Sequence, residues 1–212
     1  MFHKVKWQKI ETEEAAEKYD IGEASNGSIE LDDLGDAPEH FLVHKGNLTL
    51  AGNHSYGETL KEDPDGIVVC VVDGDLTFEG NFKFWSADVY HVLLVTGSLT
   101  CERLTTTWDG QIFVGKDLNV KDTLVTDLTD AGHLIVKGAL KAETWIECAG
   151  RGAIELGKKP KCRYVTASDE EDDERPKAIA AAKVLLPAFF EDGELNAEKL
   201  TKAAYAGKPL FR

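Results

Sequence analysis

Short runs of apolar residues, separated by a recurring five-residue pattern, occupy the middle of the chain. The pattern is an apolar residue, any residue, glycine, any residue and leucine. It occurs at residues 72–76, 95–99 and 136–140, with lysine in the glycine position at 114–118 and histidine in the first position at 44–48. The central residues of these copies, at positions 46, 74, 97, 116 and 138, are 19 to 28 residues apart. A β-rich repeat of this length is typical of a solenoid.

Each copy of the pattern lies between two apolar runs. The run before it is rich in valine, isoleucine and leucine, and in the run after it apolar and polar residues alternate. A third apolar pair often follows, so each repeat has two or three short strands with one set of side chains pointing inward. We expect equivalent residues to stack from coil to coil in two inner ladders. The ladders are Val72, Val95, Val114 and Val136, and Leu48, Leu76, Leu99, Leu118 and Leu140.

These ladders predict an all-β solenoid, a right-handed parallel β-helix of about five to six coils. A β-sandwich is the structural rival, and it is disfavoured because sandwich strands do not usually repeat one local motif. A left-handed hexapeptide β-helix is also disfavoured, because an apolar residue recurs at every sixth position only from Val72 to Tyr90. Gly74, Gly97 and Gly138 are expected at corners, where either a positive φ or close stacking of coils excludes a side chain.

The pattern divides the chain into four segments. Residues 1–40 are a non-repetitive head, 41–167 are the β-helix repeats, 168–175 are an acidic loop, and 176–212 are a helical C-terminal cap. Because an open coil exposes unpaired strand edges, we expect the head and the cap to cover the two ends of the solenoid.

Three helices are expected outside the repeats. One covers residues 11–19, with Thr12 as its candidate N-cap. A second runs from Pro176 through Leu186, because proline is favoured in the first turn of a helix. A third follows Asn196, which is a good N-cap residue.

The chain has 212 residues and a net charge of −14, most of it concentrated in two places. Residues 1–40 carry a net charge of −7, and residues 168–175 carry −5. This charge repels nucleic acid and anionic membranes and attracts a basic partner protein. The alternative is that the acidic residues only keep the protein in solution. No apolar run approaches the roughly 20 residues of a membrane span, and the first residues lack the apolar core of a secretory signal, so we expect a cytoplasmic protein.

The sequence predicts neither a metal ion nor another cofactor. The four cysteines form no C-x-x-C pair, and Cys70 and Cys101 lie in apolar strands where we expect them to be buried. His40 and His44 are four residues apart, but Pro38 disfavours a helix that would place them on one face. Neither a G-x-S-x-G elbow nor a phosphate-binding P-loop occurs.

Asp73 and Asp75 are two residues apart, and on a strand they would share one face. Glycoside hydrolases use paired carboxylates, so this pair is weighed as a catalytic site. The residues that take the place of Asp75 in the other copies are Asn47, Ser98, Asp117 and Ala139. This variation suits a solvent-facing turn, and we expect no catalytic residue.

Polar loops of unequal length separate the copies of the pattern, and in solenoids such loops often form the binding face. Three large aromatic residues lie in or beside them, and an exposed aromatic residue is a common interface anchor. Packing in the core is the alternative for these three. The acidic run either contacts a basic surface or is only solvated. The candidate partner-binding residues are Trp85, Tyr90, Trp108, Asp169, Glu170, Glu171, Asp172, Asp173 and Glu174.

Residues 72–80, Val-Asp-Gly-Asp-Leu-Thr-Phe-Glu-Gly, resemble the repeat of bacterial β-helix proteins labelled polymer-forming or bactofilin-like. Residues 191–195 and 206–210 resemble the ending of a subgroup that has a helical C-terminal cap and occurs in polymorphic-toxin and immunity clusters. The resemblance covers residues 40–212. It implies a β-helix fold and a toxin as partner, and it carries no catalytic residue over to this chain.

Three functions are weighed. The leading hypothesis is a non-enzymatic protein-binding module, an immunity-type inhibitor of a cognate basic toxin, present as a monomer or small homo-oligomer. The alternative is a bactofilin-like scaffold that polymerises end to end, although unequal coils and structured ends favour recognition. The third is a carbohydrate-active β-helix enzyme, which would need a cleft of clustered carboxylates.

Overall fold

The structure of the chain is a computed structural model, which describes residues 5–30, 38–57, 68–86, 91–168 and 175–212. These residues fold into an all-β solenoid, in which short parallel strands stack from coil to coil and a few short helices pack outside. The predicted all-β solenoid is therefore confirmed. The helices in the described ranges include none that is long and apolar enough to cross a membrane.

Each complete coil has three strands, one on each side of the solenoid. Strand β1 (Gln8–Glu11) precedes the coils. The first two coils consist of β2 (His40–Lys45), β3 (Leu48–Leu50), β4 (His54–Tyr56), β5 (Val68–Asp73), β6 (Leu76–Phe78) and β7 (Phe82–Ser86). The next two consist of β8 (His91–Val95), β9 (Leu99–Cys101), β10 (Leu104–Trp108), β11 (Gln111–Val114), β12 (Leu118–Val120) and β13 (Thr123–Leu128). The stack continues with β14 (His133–Lys141), β15 (Thr144–Gly150), β16 (Ala153–Lys158), β17 (Arg163–Thr166) and β18 (Ala178–Ala180).

Parallel pairing joins equivalent strands into three sheets. The first sheet contains β2, β5, β8, β11, the first part of β14, and β16. The second sheet contains β3, β6, β9, β12 and the last residues of β14. The third sheet contains β4, β7, β10, β13, β15, β17 and β18. The predicted number of about five to six coils is reached only when the incomplete coils after β13 are included.

Both predicted inner ladders are present. Val95 pairs in register with Val72 and with Val114, and Val114 pairs in turn with Val136. The second ladder runs through the second sheet and consists of Leu48, Leu76, Leu99, Leu118 and Leu140. Both ladders belong to one apolar cluster inside the solenoid, with Leu48 only partly buried at its edge. Removing these side chains from water is the main stabilising contribution to the stack of coils.

Gly74, Gly97 and Gly138 lie at the corner between the first and second sheets. None of the three has a positive φ, so that explanation for the glycines is wrong. A β-carbon on Gly97 would lie 2.6 Å from the carbonyl oxygen of Gly74 in the preceding coil. Close stacking of the coils is therefore what selects glycine at this corner.

The head packs against the outer side of the first sheet with two helices, α1 (Thr12–Lys18) and α2 (Ile21–Ala24). The prediction of Thr12 as an N-cap is wrong, because Thr12 is the first residue of α1 and its hydroxyl donates to the carbonyl of Pro38. Residues of the head and of the sheet share one apolar cluster, which includes Ile10, Tyr19, Ile21, Ile29, Val43, Val71, Leu94, Phe113 and Ile135.

The tail packs against the outer side of the third sheet. Its elements after β18 are α3 (Ala181–Val184), a 3-10 helix (Pro187–Phe189), β19 (Phe190–Glu191), β20 (Glu194–Leu195) and α4 (Ala197–Tyr205). Their shared apolar cluster includes Val125, Ile146, Val165, Leu185, Leu200, Ala204 and Leu210.

The two helix predictions for the tail have different outcomes. Asn196 is confirmed as the N-cap of α4, because its Oδ1 accepts a hydrogen bond of 2.9 Å from the backbone nitrogen of Lys199. The helix from Pro176 through Leu186 is wrong over most of its length. Residues 178–180 extend the third sheet by pairing with β17, and only α3 is an α-helix within this range.

A buried ionic group covers the C-terminal end of the interior cluster. The guanidinium carbon of Arg175 is 4.8 Å from the centroid of the Trp145 ring, and its Nε is 3.6 Å from Oε2 of Glu147. The Tyr164 hydroxyl donates to the same carboxylate oxygen at 2.6 Å. The side chains of Arg175 and Glu147 are only 11% and 9% exposed. Arg175 therefore lies over the last coil with its charge paired.

Contrary to the expectation that they cover its ends, the head and the tail lie mainly against the sides of the solenoid. At the ends, β1 pairs antiparallel with β2, and β18 pairs with β17. The second sheet is the one side that no segment covers in the part of the chain that the structure describes. The outward residues of the second sheet, none of them buried, are Thr49, Thr77, Thr100, Asn119 and Lys141.

Candidate protein-binding surface

Trp108 is exposed, although the alternation of side chains along its strand predicts that it points inward. In β10, Leu104 lies in the interior cluster, and alternation makes position 108 inward as well. Its register neighbours, Ser86 and Leu128, are both buried. Trp108 instead adopts a φ of +60° and is 49% exposed. Among the described residues, it is the one large hydrophobic side chain in an exposed position.

This conformation is costly, and the surrounding backbone holds it in place. A bulky residue in the left-handed region costs about 1–2 kcal/mol. The Trp108 carbonyl accepts a hydrogen bond of 3.1 Å from the backbone nitrogen of Thr129. Gly132 packs so closely that a β-carbon there would collide with that carbonyl. The Thr129 hydroxyl also donates to the carboxylate of Asp109. The turn after β10 therefore presents Trp108 on a fixed backbone.

Trp85 supports the exposed ring from the preceding coil. Because Phe84 lies in the interior cluster, its neighbour Trp85 points outward on the third sheet, where it is half-buried. The Trp85 and Trp108 ring centroids are 6.1 Å apart, and the ring planes meet at 82°. The Nζ of Lys83 lies 5.7 Å from the Trp85 ring centroid. Trp85 thus has a cation beside it and an edge contact with Trp108.

Two carboxylates belong to the segments around Trp108, namely Asp109, which follows it directly, and Asp127 in the next coil. Asp127 is the register partner of Thr107, and its side chain is half-buried. Burial raises the pKa of Asp127, and the positive charge of Arg151 partly offsets this effect. The nearest described ion pair joins Arg151 to Asp130 at 3.9 Å and is exposed to solvent. We call Trp85, Trp108, Asp109 and Asp127 the tryptophan rim.

Helix α4 places charged residues near Lys83. Burial is the main cause that lowers the pKa of Lys83, and the nearby charge of Lys202 lowers it further. Glu198 acts in the opposite direction. The Nζ of Lys202 also pairs with the carboxylate of Glu198. The tail therefore contributes mixed charge next to the rim.

The structure brings together two of the predicted partner-binding residues, Trp85 and Trp108. Nothing in the sequence indicated Asp127 as a neighbour of this segment, because its position depends on the register between β10 and β13. The Asp109-Gly110 turn signal marks the end of β10, but nothing in it indicates that the left-handed residue is Trp108 itself. The remaining predicted residues lie outside the described ranges, and they are Tyr90, Asp169, Glu170, Glu171, Asp172, Asp173 and Glu174.

The weighed catalytic pair, Asp73 and Asp75, is engaged in structural contacts. Oδ2 of Asp73 accepts hydrogen bonds from Nζ of Lys18 at 2.7 Å and from the Tyr19 hydroxyl at 3.0 Å. The bond from Lys18 is the main cause that lowers the pKa of Asp73. Oδ1 of Asp75 accepts a hydrogen bond of 2.8 Å from the backbone nitrogen of Ser98. Asp73 thus anchors α1 to the solenoid, and Asp75 joins two coils.

Cysteine and histidine side chains are dispersed. Cys70 and Cys101 are buried, as predicted, and burial raises the pKa of Cys70 to about 12. No group of three or more histidine, cysteine, aspartate or glutamate side chains within the described ranges has an arrangement that could hold a metal ion.

No protein-family model matches this chain, and no curated protein or solved structure matches it either. The bactofilin-like resemblance stays a prediction that rests on the motifs quoted for it. The function must therefore be inferred from the geometry of the tryptophan rim and from the charge of the chain.

Proposed function

We propose that this chain is a non-enzymatic protein-binding module whose main contact surface is the tryptophan rim. The observation that carries this proposal is the outward turn of Trp108 from a core-facing position. Folding alone favours burial of such a ring, so its exposure on a strained and well-held backbone indicates selection for another purpose. Tryptophan is also the residue type that most often dominates the energy of a protein interface.

The most specific form of the proposal is an immunity-type inhibitor that acts in the cytoplasm on a cognate bacterial toxin. The net charge of −14 supports a basic partner, which would be steered toward the chain. A solenoid supports a preformed surface, since rigid coils need little ordering on binding. The motif resemblance described above adds the toxin and immunity context.

Two features favour a finite module over an end-to-end polymer. The antiparallel strand β1 covers the outer edge of β2, so a second copy cannot continue the first sheet there in parallel. At the other end, a buried charge pair of Arg175 and Glu147 lies against the Trp145 ring, which is unlike the apolar interior that continues from coil to coil. The hydrogen bonds that Asp73 and Asp75 already accept within the chain likewise weigh against the carbohydrate-active alternative.

The test is co-expression of the full chain with the protein encoded by the adjacent gene. We expect co-purification as a complex and rescue of growth when that protein is toxic. The variant Trp108→Ala should weaken binding roughly 30-fold or more, because a tryptophan hot spot contributes about 2 kcal/mol or more. The matched control Thr49→Ala, at an exposed position on the second sheet, should bind like the parent chain.

The outcomes separate the parts of the proposal. Absence of both a complex and growth rescue would overturn the immunity function. A complex that Trp108→Ala binds as tightly as the parent would overturn the assignment of the tryptophan rim. Large particles in light scattering of the purified chain would favour the polymerising scaffold.

A further inference from the structure

We infer that Trp108 and Asp127 form a receptor for a single cationic side chain, arginine or lysine, of the partner protein. This inference rests on the proposed function, because it names the chemistry that the tryptophan rim recognises. It goes further in assigning a specific ligand group to two residues.

The neighbouring tryptophan already shows the interaction inside the chain. The ammonium group of Lys83 lies 5.7 Å from the centroid of the Trp85 ring, within the range of a cation–π contact. Trp108 is the second ring of the same pair, and it is the more exposed of the two. Its open surface is available to a cation from outside the chain.

Asp127 supplies the charge that would complete the receptor. It lies in register with Thr107, the residue before Trp108, so it is on the strand next to the one that carries the ring. Its half-buried position removes much of its hydration, which strengthens its attraction for an incoming cation. No ion pair of Asp127 occurs within the described ranges. The charge of Arg151 acts on its carboxylate from a distance, and Arg151 itself pairs with Asp130 at 3.9 Å.

The other charges around Trp108 agree with this ligand class. Asp109 follows Trp108 directly, and its carboxylate accepts a hydrogen bond from the Thr129 hydroxyl. Lys83 lies beside Thr105, three residues before Trp108 along the sheet, and thus further from the turn. Two acidic residues, Asp109 and Asp127, thus lie in or beside the segment that carries Trp108, whereas Lys83 lies farther back along the third sheet and Arg151 is paired with Asp130.

A carbohydrate is the competing ligand for a tryptophan beside a carboxylate. It is disfavoured by the geometry of the pair, because rings that meet at 82° do not form a flat stacking platform. Lys83 also occupies the surroundings of the Trp85 ring. A planar guanidinium or a compact ammonium needs only one ring and one carboxylate.

The experiment is an NMR titration of the 15N-labelled full chain, followed through the indole N–H signals of its four tryptophans. The Trp108 signal is assigned with the variant Trp108→Phe. The probes are N-acetyl-arginine amide, N-acetyl-lysine amide, the neutral isostere N-acetyl-citrulline amide, and maltotriose for the carbohydrate arm. We expect saturable shifts of the Trp108 signal with the two cationic probes and no comparable shift with citrulline or maltotriose.

Asp127→Asn should weaken binding of the arginine probe at least about threefold. The control Glu79→Gln, at an exposed carboxylate on another corner, should leave that binding unchanged. Equal shifts with arginine and citrulline, an unchanged affinity in Asp127→Asn, or shifts with maltotriose alone would overturn the inference.

The co-expression assay keeps the two proposals distinguishable. If Trp108→Ala loses the partner while Asp127→Asn retains it fully, the tryptophan rim is the binding surface and the cation receptor is wrong. If Trp108→Ala retains the partner, the rim itself is wrong, whatever the small probes do.

Discussion

Asp75 and Gly97 are coupled across two coils of the solenoid. Oδ1 of Asp75 accepts a hydrogen bond from the backbone nitrogen of Ser98, and this oxygen occupies the space that a β-carbon on Gly97 would need. Asn47 holds the nitrogen of Asp75 in the same way, beside Gly74. The side-chain oxygen in one coil, together with the backbone carbonyl beside it, therefore leaves no space for a β-carbon in the next coil.

This coupling accounts for the lysine in the glycine position of one copy. Ser98 has no amide or carboxylate oxygen to reach the following coil, and the next coil carries Lys116. Asp117 restores the bond by accepting from the nitrogen of Ala139 at 2.9 Å, and glycine returns at Gly138. The residue type in the glycine position of each copy therefore depends on the side chain that precedes the leucine in the previous copy.

Replacing Gly97 with alanine should destabilise the chain by about 1–3 kcal/mol, because the new methyl group overpacks a rigid corner. Lys116→Ala, at the equivalent exposed position, should change stability by less than about 0.5 kcal/mol. Urea unfolding followed by circular dichroism measures both. Adding Asp75→Ala to Gly97→Ala should cost less than the sum of the two single changes, and strict additivity would contradict the coupling.

Arg175→Ala should be among the most destabilising single changes, with a loss of about 3–5 kcal/mol, because it leaves the Glu147 carboxylate buried without its cation. The variant Arg175→Met in a Glu147→Gln background should lose much less, since neither position is then charged. The midpoint of urea unfolding reports the difference. If Arg175→Ala alone proved neutral, the ionic group would contribute nothing to closing the last coil.

The contact between Asp73 and Lys18 predicts a pH dependence. Lys18 lowers the pKa of Asp73 in the folded state below its ordinary value of 3.8, so the folded state favours the carboxylate. That contribution is fully present well above pH 4 and is lost as the pH falls through the lowered pKa. Asp73→Asn should therefore destabilise the chain at pH 6 and have a smaller effect at pH 3. Thermal unfolding at both pH values tests this, with Glu79→Gln as the control, and an effect that grew toward pH 3 would contradict it.

Thiol labelling should distinguish the buried Cys70 from the partly exposed Cys162. Burial raises the pKa of Cys70 to about 12, although the Tyr56 hydroxyl, 3.3 Å from its sulfur, lowers this pKa in part, so little thiolate forms at pH 8. Cys162 is less buried, and burial raises its pKa as well. We expect a maleimide to modify Cys162 first and Cys70 only on unfolding, as measured by mass spectrometry of peptides. Rapid modification of Cys70 in the native chain would show that its coil opens.

The sequence was sufficient to predict the ladders because their rule is local and repeats in every coil. The sequence also indicated which side of the solenoid is covered by another segment. The strands of the first sheet, such as Val68–Asp73 and His91–Val95, are almost continuously apolar, which indicates burial on both faces. The strands of the second sheet alternate instead, as in Leu76–Phe78, and their outer face is uncovered. Reading the two kinds of strand separately would have predicted a covering segment on the first sheet, but the alternating strands of the third sheet, such as Phe82–Ser86, did not indicate the tail.

The candidate site was only partly predictable. Trp85 and Trp108 stood out by residue type, but their contact depends on the register between β7 and β10, which no single segment encodes. The left-handed backbone at Trp108 depends on Gly132 and Thr129 in the following coil. Such a conformation results from tertiary contacts and runs against the local preference of tryptophan.

The strain at Trp108 can be isolated by comparing two variants that both remove the ring. Trp108→Gly and Trp108→Ala lose the same contact with Trp85, but only glycine adopts a φ of +60° without steric cost. The glycine variant should therefore be more stable than the alanine variant by about 1 kcal/mol. Thr107, which is extended in β10, provides the control. There Thr107→Ala should be more stable than Thr107→Gly, because glycine only adds freedom to the unfolded chain.

Urea unfolding of the four variants measures these differences under one condition. If Trp108→Gly is also at least as stable as the parent chain, the tryptophan is not retained for folding. Loss of the partner in that same variant would then show that its exposed ring serves recognition. An alanine variant as stable as the glycine variant would mean that the left-handed backbone carries no strain, and the exposure of Trp108 would lose its main support as a sign of function.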